Sequence, residues 1–489
     1  MKLKIKSLNL VAGRPIAFIN KNDAETLNVH VGERVVISKN NKKIIAIVDI
    51  VKGMIENGQV GASQEILKNL RAKSNDAVDV GLTLIPKSIK IILKKMAGKP
   101  LTKSEIELIV KDIVTNALTE AEIAYFVSSV YDKGMSLKET IYLTEAIYKT
   151  GAKITWNSRK IADKHSIGGV AGNRTTPIVV SICAALGIII PKTSSRAITS
   201  AAGTADVIES IAKIDFPIQK LKEIVNKTNA CLAWGGSLGL APADDKIIQV
   251  ERIVNLDPEP QLLASVMAKK LAVGSKYILI DIPYGKGAKV TKEQGLKLKN
   301  KFLAIGKHFN LKMQVVLTDG SQPIGNGIGP ILEIKDILRV LERNNPPIDL
   351  ENKSLFLAGE IIEMVGKARS GKGQALAKSI LDSGKALEKF KEIIKAQEGK
   401  INHLPKAQFE SKILSEKTGK ITHIDNKKIN NLGRLLGCPA DKAAGIYIHK
   451  HKPEVVKKGD ILLTLHSESK IKLNDSRNFL KNSRPIEID

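Results

Sequence analysis

The residues best equipped for chemistry lie between Lys164 and Thr204. There, DKHSIGGVAGNRTTP and, after an apolar stretch, PKTSSRAITSAAGTAD form two segments rich in small and hydroxyl-bearing side chains. Gly168, Gly169, Gly172 and Gly203 let backbone N–H groups come close to a ligand. Ser166, Thr175, Thr176, Ser194, Ser195, Thr199, Ser200 and Thr204 add hydroxyl donors, and Lys164, Arg174 and Arg196 add positive charge. That set suits phosphate better than an apolar ligand. Glycine and serine also punctuate ordinary surface turns. The pairing of two such loops, each ending where a helix is expected to start, favours an anion held at helix N-termini.

The elements that must position these loops follow from patterning. Residues 1–85 read as strands, LKIKSLNL, RVVISKNNKKIIAIVDIV with Asn40-Asn41 at a hairpin tip, and DVGLTLI ended by Pro86, which predicts a small β domain. From Ser88 the period becomes helical. Three capping boxes, Thr102 to Glu105, Thr119 to Glu122 and Ser136 to Glu139, each open an amphipathic segment. Strands and helices then alternate: KITW, the two loops, the helix PQLLASVMAKKLA and the apolar strand KYILIDIPYG, an order that predicts an α/β domain with ligand loops at strand ends. A further glycine-rich loop, DGSQPIGNGIGPILEI, follows the strand MQVVLTD; Gly325, Gly327 and Gly329 alone are a weak nucleotide signal. Residues 340–410 read as lysine-rich helices outside the sheet. From about 401, GKITHIDN, AAGIYIHK and DILLTLHSES bring back β patterns. The expected organisation is multi-domain α+β: a β domain over 1–85, a helical domain over 86–155 plus 241–272, a phosphate-binding α/β domain over 156–240 plus 273–400, and a small α/β domain over 401–489.

Composition narrows the function classes. The chain of 489 residues exceeds one core and is 43% hydrophobic, enough to bury several. Apolar runs such as Ile178–Ile190 are shorter than a membrane span, and the opening MKLKIKSLNL alternates instead of forming a signal-like apolar stretch, so no membrane association and a cytoplasmic location are expected. Cys183, Cys231 and Cys438 lie far apart without ligand spacing, so neither a metal site nor a disulfide framework is expected, and no cofactor is called for. A net charge of +27 invites nucleic acid as a partner. Yet 64 lysines stand against 13 arginines, aromatic residues make up 4%, and the basic residues are spread along the whole chain, which argues against base reading and leaves attraction of small anions.

The run Lys164-His165-Ser166-Ile167-Gly168-Gly169-Val170 resembles the KHSxGGV signature of the thymidine and pyrimidine nucleoside phosphorylase family. Ser195-Arg196 resembles that family's second phosphate loop, Gly203-Thr204 the turn after it, Leu240 to Asp244 its LAPAD stretch, Ala264 to Lys270 its base-side helix, and Gln322 to Gly325 a later loop. Gly445-Ile446 and Lys457 to Gly459 fit its closing region, so the resemblance runs from about Ser88 to Glu468. Two departures narrow it. Where pyrimidine nucleoside enzymes carry an arginine before the base-side helix, Val250 or Glu251 stands here, so base recognition must differ. The added β domain, with SSRAITSAAGTAD and LDPEPQLLAS, is similar to the branch whose members act on nucleoside 5′-monophosphates.

That resemblance implies phosphorolysis: AMP, and by extension CMP or UMP, reacts with phosphate to give free base and ribose 1,5-bisphosphate. Lys164, Ser166, Thr176, Ser194 and Thr204 fall on the family's phosphate contacts once one residue is inserted before Thr176. Gly169, Ser195, Arg196, Ala197, Ile198, Thr199, Ser200, Thr204, Ser265, Lys269 and Lys289 are expected to hold the nucleotide, with Arg196, Lys289 and the loop backbone on its 5′-phosphate. Asp257, otherwise a common turn or cap residue before Pro258, becomes the candidate general acid. His165 is a candidate donor, and Trp234 is expected to pack. Pairing through the helical layer implies a homodimer or higher homo-oligomer, with the nucleotide and inorganic phosphate as partners. The competing readings are a pyrimidine nucleoside phosphorylase, a phosphoribosyl transferase, which would need a GTGGD loop and acidic magnesium ligands not visible here, and a binding protein on a degenerate catalytic fold.

Overall fold

Alternation of apolar and charged residues in Lys2–Ser7 buries Leu3 and Ile5 and leaves its lysines at the surface. Five more strands join it to close a barrel in the order Lys2–Ser7, Gln59–Ala62, Ile16–Asn20, Lys42–Val51, Arg34–Lys39, Ala77–Leu82. Closure removes exposed sheet edges. The hairpin turns at Asn40, whose φ of 53° places it in the left-handed region. Two of the strands, Ile16–Asn20 and Gln59–Ala62, and the short helices Lys21–Leu27 and Gln64–Leu70 were not expected. The computed structural model describes residues 1–489 except Leu84, Arg159, Ile198 and Thr199, so the expectations placed on Ile198 and Thr199 lie outside the described residues.

The chain divides into two compact units, Met1–Gly151 with Ala241–Ser265, and Ala152–Leu240 with Val266–Asp489. In the first, the barrel is followed by the helices Ser88–Met96, Lys103–Val114, Glu120–Lys133 and Leu137–Thr150, with Pro242–Val254 added later in the chain. All three capping boxes form. The Thr102 hydroxyl accepts from the Glu105 N–H at 3.3 Å while the Glu105 carboxylate accepts from the Thr102 N–H at 2.7 Å, and the pattern repeats at Thr119 and Ser136. Glu139 also pairs with buried Lys95 at 2.9 Å, so one carboxylate closes a cap and neutralises a core cation.

In the second unit, Lys312–Asp319, Tyr277–Tyr284 and Ala162–Ser166 run parallel with Tyr277–Tyr284 central. A bridge between Ile161 and Ile189 leads to a second parallel pair, Ile190–Ser194 with Ala230–Trp234. Parallel strands are covered on both faces, which explains the nearly continuous burial of YILIDIPY. The almost wholly buried helix Thr175–Ala185 packs against Ile348–Val365 and Lys385–Ala396. KITW is not a strand. Its Ile154 N–H donates instead to Ala272 O at 2.8 Å, tying an irregular segment to the helix Glu259–Val273. The terminal region combines an antiparallel sheet of Gly327–Ile328, Gly445–Ile448, Ile461–Ser467 and Phe409–Leu414 with the helices Asn426–Leu436 and Lys470–Ser483. Its first strand comes from the glycine-rich loop after Lys312–Asp319.

Candidate active site

The carboxyl ends of the parallel strands carry the loops of interest: Ile167–Arg174 after Ala162–Ser166, residues 195–197 and 200–203 after Ile190–Ser194, and Gly285–Val290 after Tyr277–Tyr284. This is the end at which open α/β sheets bind ligands. Lys164 is buried within its strand, opposite Leu279, and its Nζ donates to Thr175 Oγ1 at 2.9 Å and Thr176 Oγ1 at 3.4 Å. Both threonines open the helix Thr175–Ala185. Because they accept from the lysine, each hydroxyl keeps its own proton to offer a ligand.

The carboxylates beside Lys164 are committed elsewhere. Asp163 pairs with Lys270 at 2.7 Å and Lys192 at 3.4 Å, and Asp281 takes Lys353 at 3.2 Å and the Thr318 hydroxyl at 2.5 Å. Burial raises the Asp163 and Asp281 carboxyls, but their lysine neighbours outweigh it and hold both below the usual range. Burial pushes the Lys164 amine down to about 8, helped by Lys353 and Arg174 and resisted by Asp281. Lys270 falls to about 7, again through burial against the pull of Asp163. Lys164 is therefore a buried, protonated amine at neutral pH whose hydrogen bonds go to hydroxyls. Ser194 Oγ, at the end of its strand, and Asn173 Oδ1, in the first loop, are buried polar atoms without a partner among the described residues. The serine hydroxyl can donate to an anion.

His165, next in the strand, is half-buried. Burial, together with Lys270, Lys192, Lys164 and Lys269, holds its imidazole well below the ordinary histidine range. It is neutral at pH 7, able to donate one hydrogen bond without adding charge.

The two loops are joined by Arg174. Its guanidinium pairs with buried Glu333 and donates to Thr204 Oγ1 at 2.9 Å and Ala202 O at 2.9 Å, so this cation is a strut and not an open anion hook. Thr204 accepts from it and retains a donor proton. Arg196 is similarly engaged: it bonds Asp206 at 3.1 Å and Glu209 at 2.8 Å and lies 4.8 Å from the Trp234 ring. Trp234 packs, as expected, against the core. Asp206 also accepts from the Ala197 N–H at 2.7 Å and the Gly203 N–H at 2.9 Å, folding the second loop back on itself. At Gly203 a Cβ would lie 2.6 Å from Ser195 O, Arg196 C and Ala197 N, so only glycine fits.

Gly169, at φ +89°, brings the first loop onto exposed Lys289, where a Cβ would sit 2.9 Å from the Lys289 N. Lys164, His165, Ser166, Gly169, Thr176, Ser194, Ser195, Arg196, Ala197, Ser200, Thr204, Lys269 and Lys289 all belong to the second unit. Asp257, exposed between Pro242–Val254 and Glu259–Val273, belongs to the first unit, as does Ser265, whose hydroxyl donates to Asp244 at 2.8 Å.

Comparison with known proteins is decisive at this point. The chain is 45% identical to an AMP phosphorylase of Pyrococcus horikoshii over 100% of its own length and 98% of that protein. It is 41% identical to an AMP phosphorylase of Methanococcus vannielii, covering 100% and 97% of the two chains. This chain belongs to the AMP phosphorylase family. Family models agree domain by domain: residues 89–151 match the helical bundle domain and 158–387 the a/b domain of the glycosyl transferase family, and 420–487 match the C-terminal domain of pyrimidine nucleoside phosphorylases. An anthranilate phosphoribosyltransferase from Thermus thermophilus shares the fold, with a TM-score of 0.53 at 16% identity over 63% of this chain and 99% of that one. The chain is an enzyme of this transferase class with a multi-domain α+β fold, and no helix among its described residues is long and apolar enough to cross a membrane.

Sequence reasoning missed Asp163, Asp281, Lys192, Lys270 and Lys353. A signal was present for Asp281, the one charged residue inside the apolar strand YILIDIPY. A cavity of about 290 Å³ lined by Thr318, Asp319, Gln322, Asp349, Lys353 and Phe356 adjoins the Asp281–Lys353 pair. Two carboxylates in its wall make it unsuited to phosphate.

Proposed function

We propose that the chain catalyses phosphorolysis of AMP, with CMP and UMP as further substrates, to free base and ribose 1,5-bisphosphate. Buried Lys164 carries the reading: a protonated amine, bonded to hydroxyls, at the N-terminus of a buried helix. The curated relatives named AMP phosphorylases supply the substrate.

The attacking phosphate sits on Lys164, Ser166, Thr176, Ser194 and Thr204. One of its oxygens bonds C1′ while the C1′–N bond breaks on the opposite face, and that electron pair leaves with the base. Fixing the nucleophile in line is worth up to about 7–11 kcal/mol. The 5′-phosphate is held by the N–H groups of the second loop, by Lys289 and by the outer edge of Arg196. Ser265 and Lys269 orient base and sugar, and neutral His165 donates to the nucleoside. Asp257 delivers the proton to the departing base. Arg196 takes part without leaving its carboxylates, which preset its orientation.

The protein acts as a homodimer or higher homo-oligomer; exposed Leu93, Met96 and Tyr125 on the neighbouring helices Ser88–Met96 and Glu120–Lys133 offer an apolar face for pairing. Its free cysteines suit a reducing cytoplasm.

Turnover of AMP, CMP, UMP, adenosine and thymidine with inorganic phosphate tests the assignment. Release of adenine together with a sugar carrying two phosphates, seen by chromatography and phosphorus NMR, is expected. Reaction of the unphosphorylated nucleosides alone would replace it with nucleoside phosphorolysis.

A further inference from the structure

One face of the helix Asn426–Leu436 reads the backbone of both anion loops. Asn426 is fully buried; its Oδ1 accepts from the Ala171 N–H at 3.0 Å and its Nδ2 donates to Gly320 O at 2.9 Å. One helical turn later, Asn430 Oδ1 accepts from the Ala201 N–H at 3.0 Å. After a further turn, Arg434 Nε donates to Ser200 O at 3.2 Å. The spacing of four residues puts all three on one side of the helix, with Asn426 and Asn430 about 6 Å apart along its axis. The methyl groups of Ala171 and Ala201 are themselves buried in the core of the C-terminal domain. At Gly433 a Cβ would come within 2.7 Å of the Ala201 Cβ, so the second loop lies directly against the helix.

A buried amide side chain whose oxygen meets a backbone N–H fixes that N–H in place, and removing the acceptor leaves a buried donor unsatisfied. Here each asparagine addresses one loop. Asn426 addresses the loop of Gly168 and Gly169 that follows Lys164, and Asn430 the loop that follows Ser194.

We propose that Asn426 and Asn430 are positioning residues for the two anions separately: Asn426 sets the loop for the attacking phosphate and Asn430 sets the loop for the 5′-phosphate of the nucleotide. The helix then acts as a ruler that holds the two anion sites at the separation a nucleoside monophosphate and its nucleophile require. This rests on the phosphorolysis reading above.

The test is steady-state kinetics of the full-length enzyme with AMP and phosphate varied independently. Asn430→Leu, which keeps volume and removes the acceptor, raises the KM for AMP about tenfold and leaves the KM for phosphate within about twofold. Asn430→Asp, which keeps an accepting oxygen, returns the KM for AMP to within about threefold of wild type. Asn426→Leu shows the reverse split, with the KM for phosphate raised about tenfold. Asn430→Ser, smaller and polar, reads the same split should the leucine variant fail to fold. Equal changes in both KM values, a change in kcat alone, or no change would overturn the inference and assign the helix to packing only. Failure of the wild-type enzyme to consume AMP would instead remove the phosphorolysis reading on which it stands.

Discussion

Replacing Lys164 with glutamine removes the charge that we propose meets the attacking phosphate. A unit charge about 4 Å from a phosphate oxygen contributes about 4 kcal/mol at an effective dielectric constant of about 20. The protein has already met the cost of burying the amine, since burial is what lowers it to about 8, so the ligand receives most of the interaction. Loss of one donor to a reacting anion costs about 2.7–4 kcal/mol in comparable sites, or roughly 10²–10³ in rate. Lys164→Gln is therefore expected to reduce kcat/KM for phosphate by about two to three orders of magnitude, measured by adenine release at subsaturating phosphate. A pH signature accompanies it. The amine carries its charge below about 8 and loses it above, so wild-type kcat/KM for phosphate falls as pH rises through about 8, by up to about tenfold per unit. The glutamine variant lacks that limb. A variant within tenfold of wild type, or one that keeps the alkaline limb, would refute the assignment of Lys164 as the phosphate's principal charge.

Asp257→Asn is expected to slow phosphorolysis about 10²–10⁴-fold while AMP binding by calorimetry stays close to wild type; parallel loss of both would assign Asp257 to structure. Gly203→Ala forces a Cβ against the backbone of Ser195, Arg196 and Ala197, and should lower stability by about 1–3 kcal/mol in denaturant melts; an unchanged midpoint would show that the second loop yields freely. Glu209 is held down to about 2, chiefly by its hydrogen bonds to Arg196, with burial opposing and Lys442 assisting. Its contribution is complete above the ordinary carboxylate range near about 4 and is lost as pH falls toward 2. Thermal melts of wild type and Glu209→Gln should thus converge as pH drops through that window, and a constant difference would discount the pair.

Local signals were legible and distant ones were not. The three capping boxes depend on residues three apart, and each formed as read at Thr102, Thr119 and Ser136. The glycines of the two loops were read as letting N–H groups approach a ligand; at Gly169 and Gly203 the close neighbour in the structure is other backbone of the chain. The barrel strands Ile16–Asn20 and Gln59–Ala62 escaped because four or five residues give too little alternation to separate from loop. KITW looked like a strand for the same reason in reverse. Arg174 and Arg196 announced their charge but not their partners: Glu333, 159 residues beyond Arg174, turns one from a ligand into a strut. Asn426, which closes the β pattern GKITHIDN, and Asn430, inside KKINNLGRLL, carried no signal because what they bind is main chain, which has no sequence signature.

Ala171 and Ala201 are anchored by side chains that lie 255 and 229 residues further along the chain. During synthesis both anion loops emerge long before the helix that tethers them, and contacts of such sequence separation form late in folding. A nascent or broken polypeptide lacking Asn426–Leu436 would carry every hydroxyl proposed to meet phosphate yet leave the two loops without these tethers. Competence toward cellular nucleotides is in this way deferred until nearly the whole chain has been made.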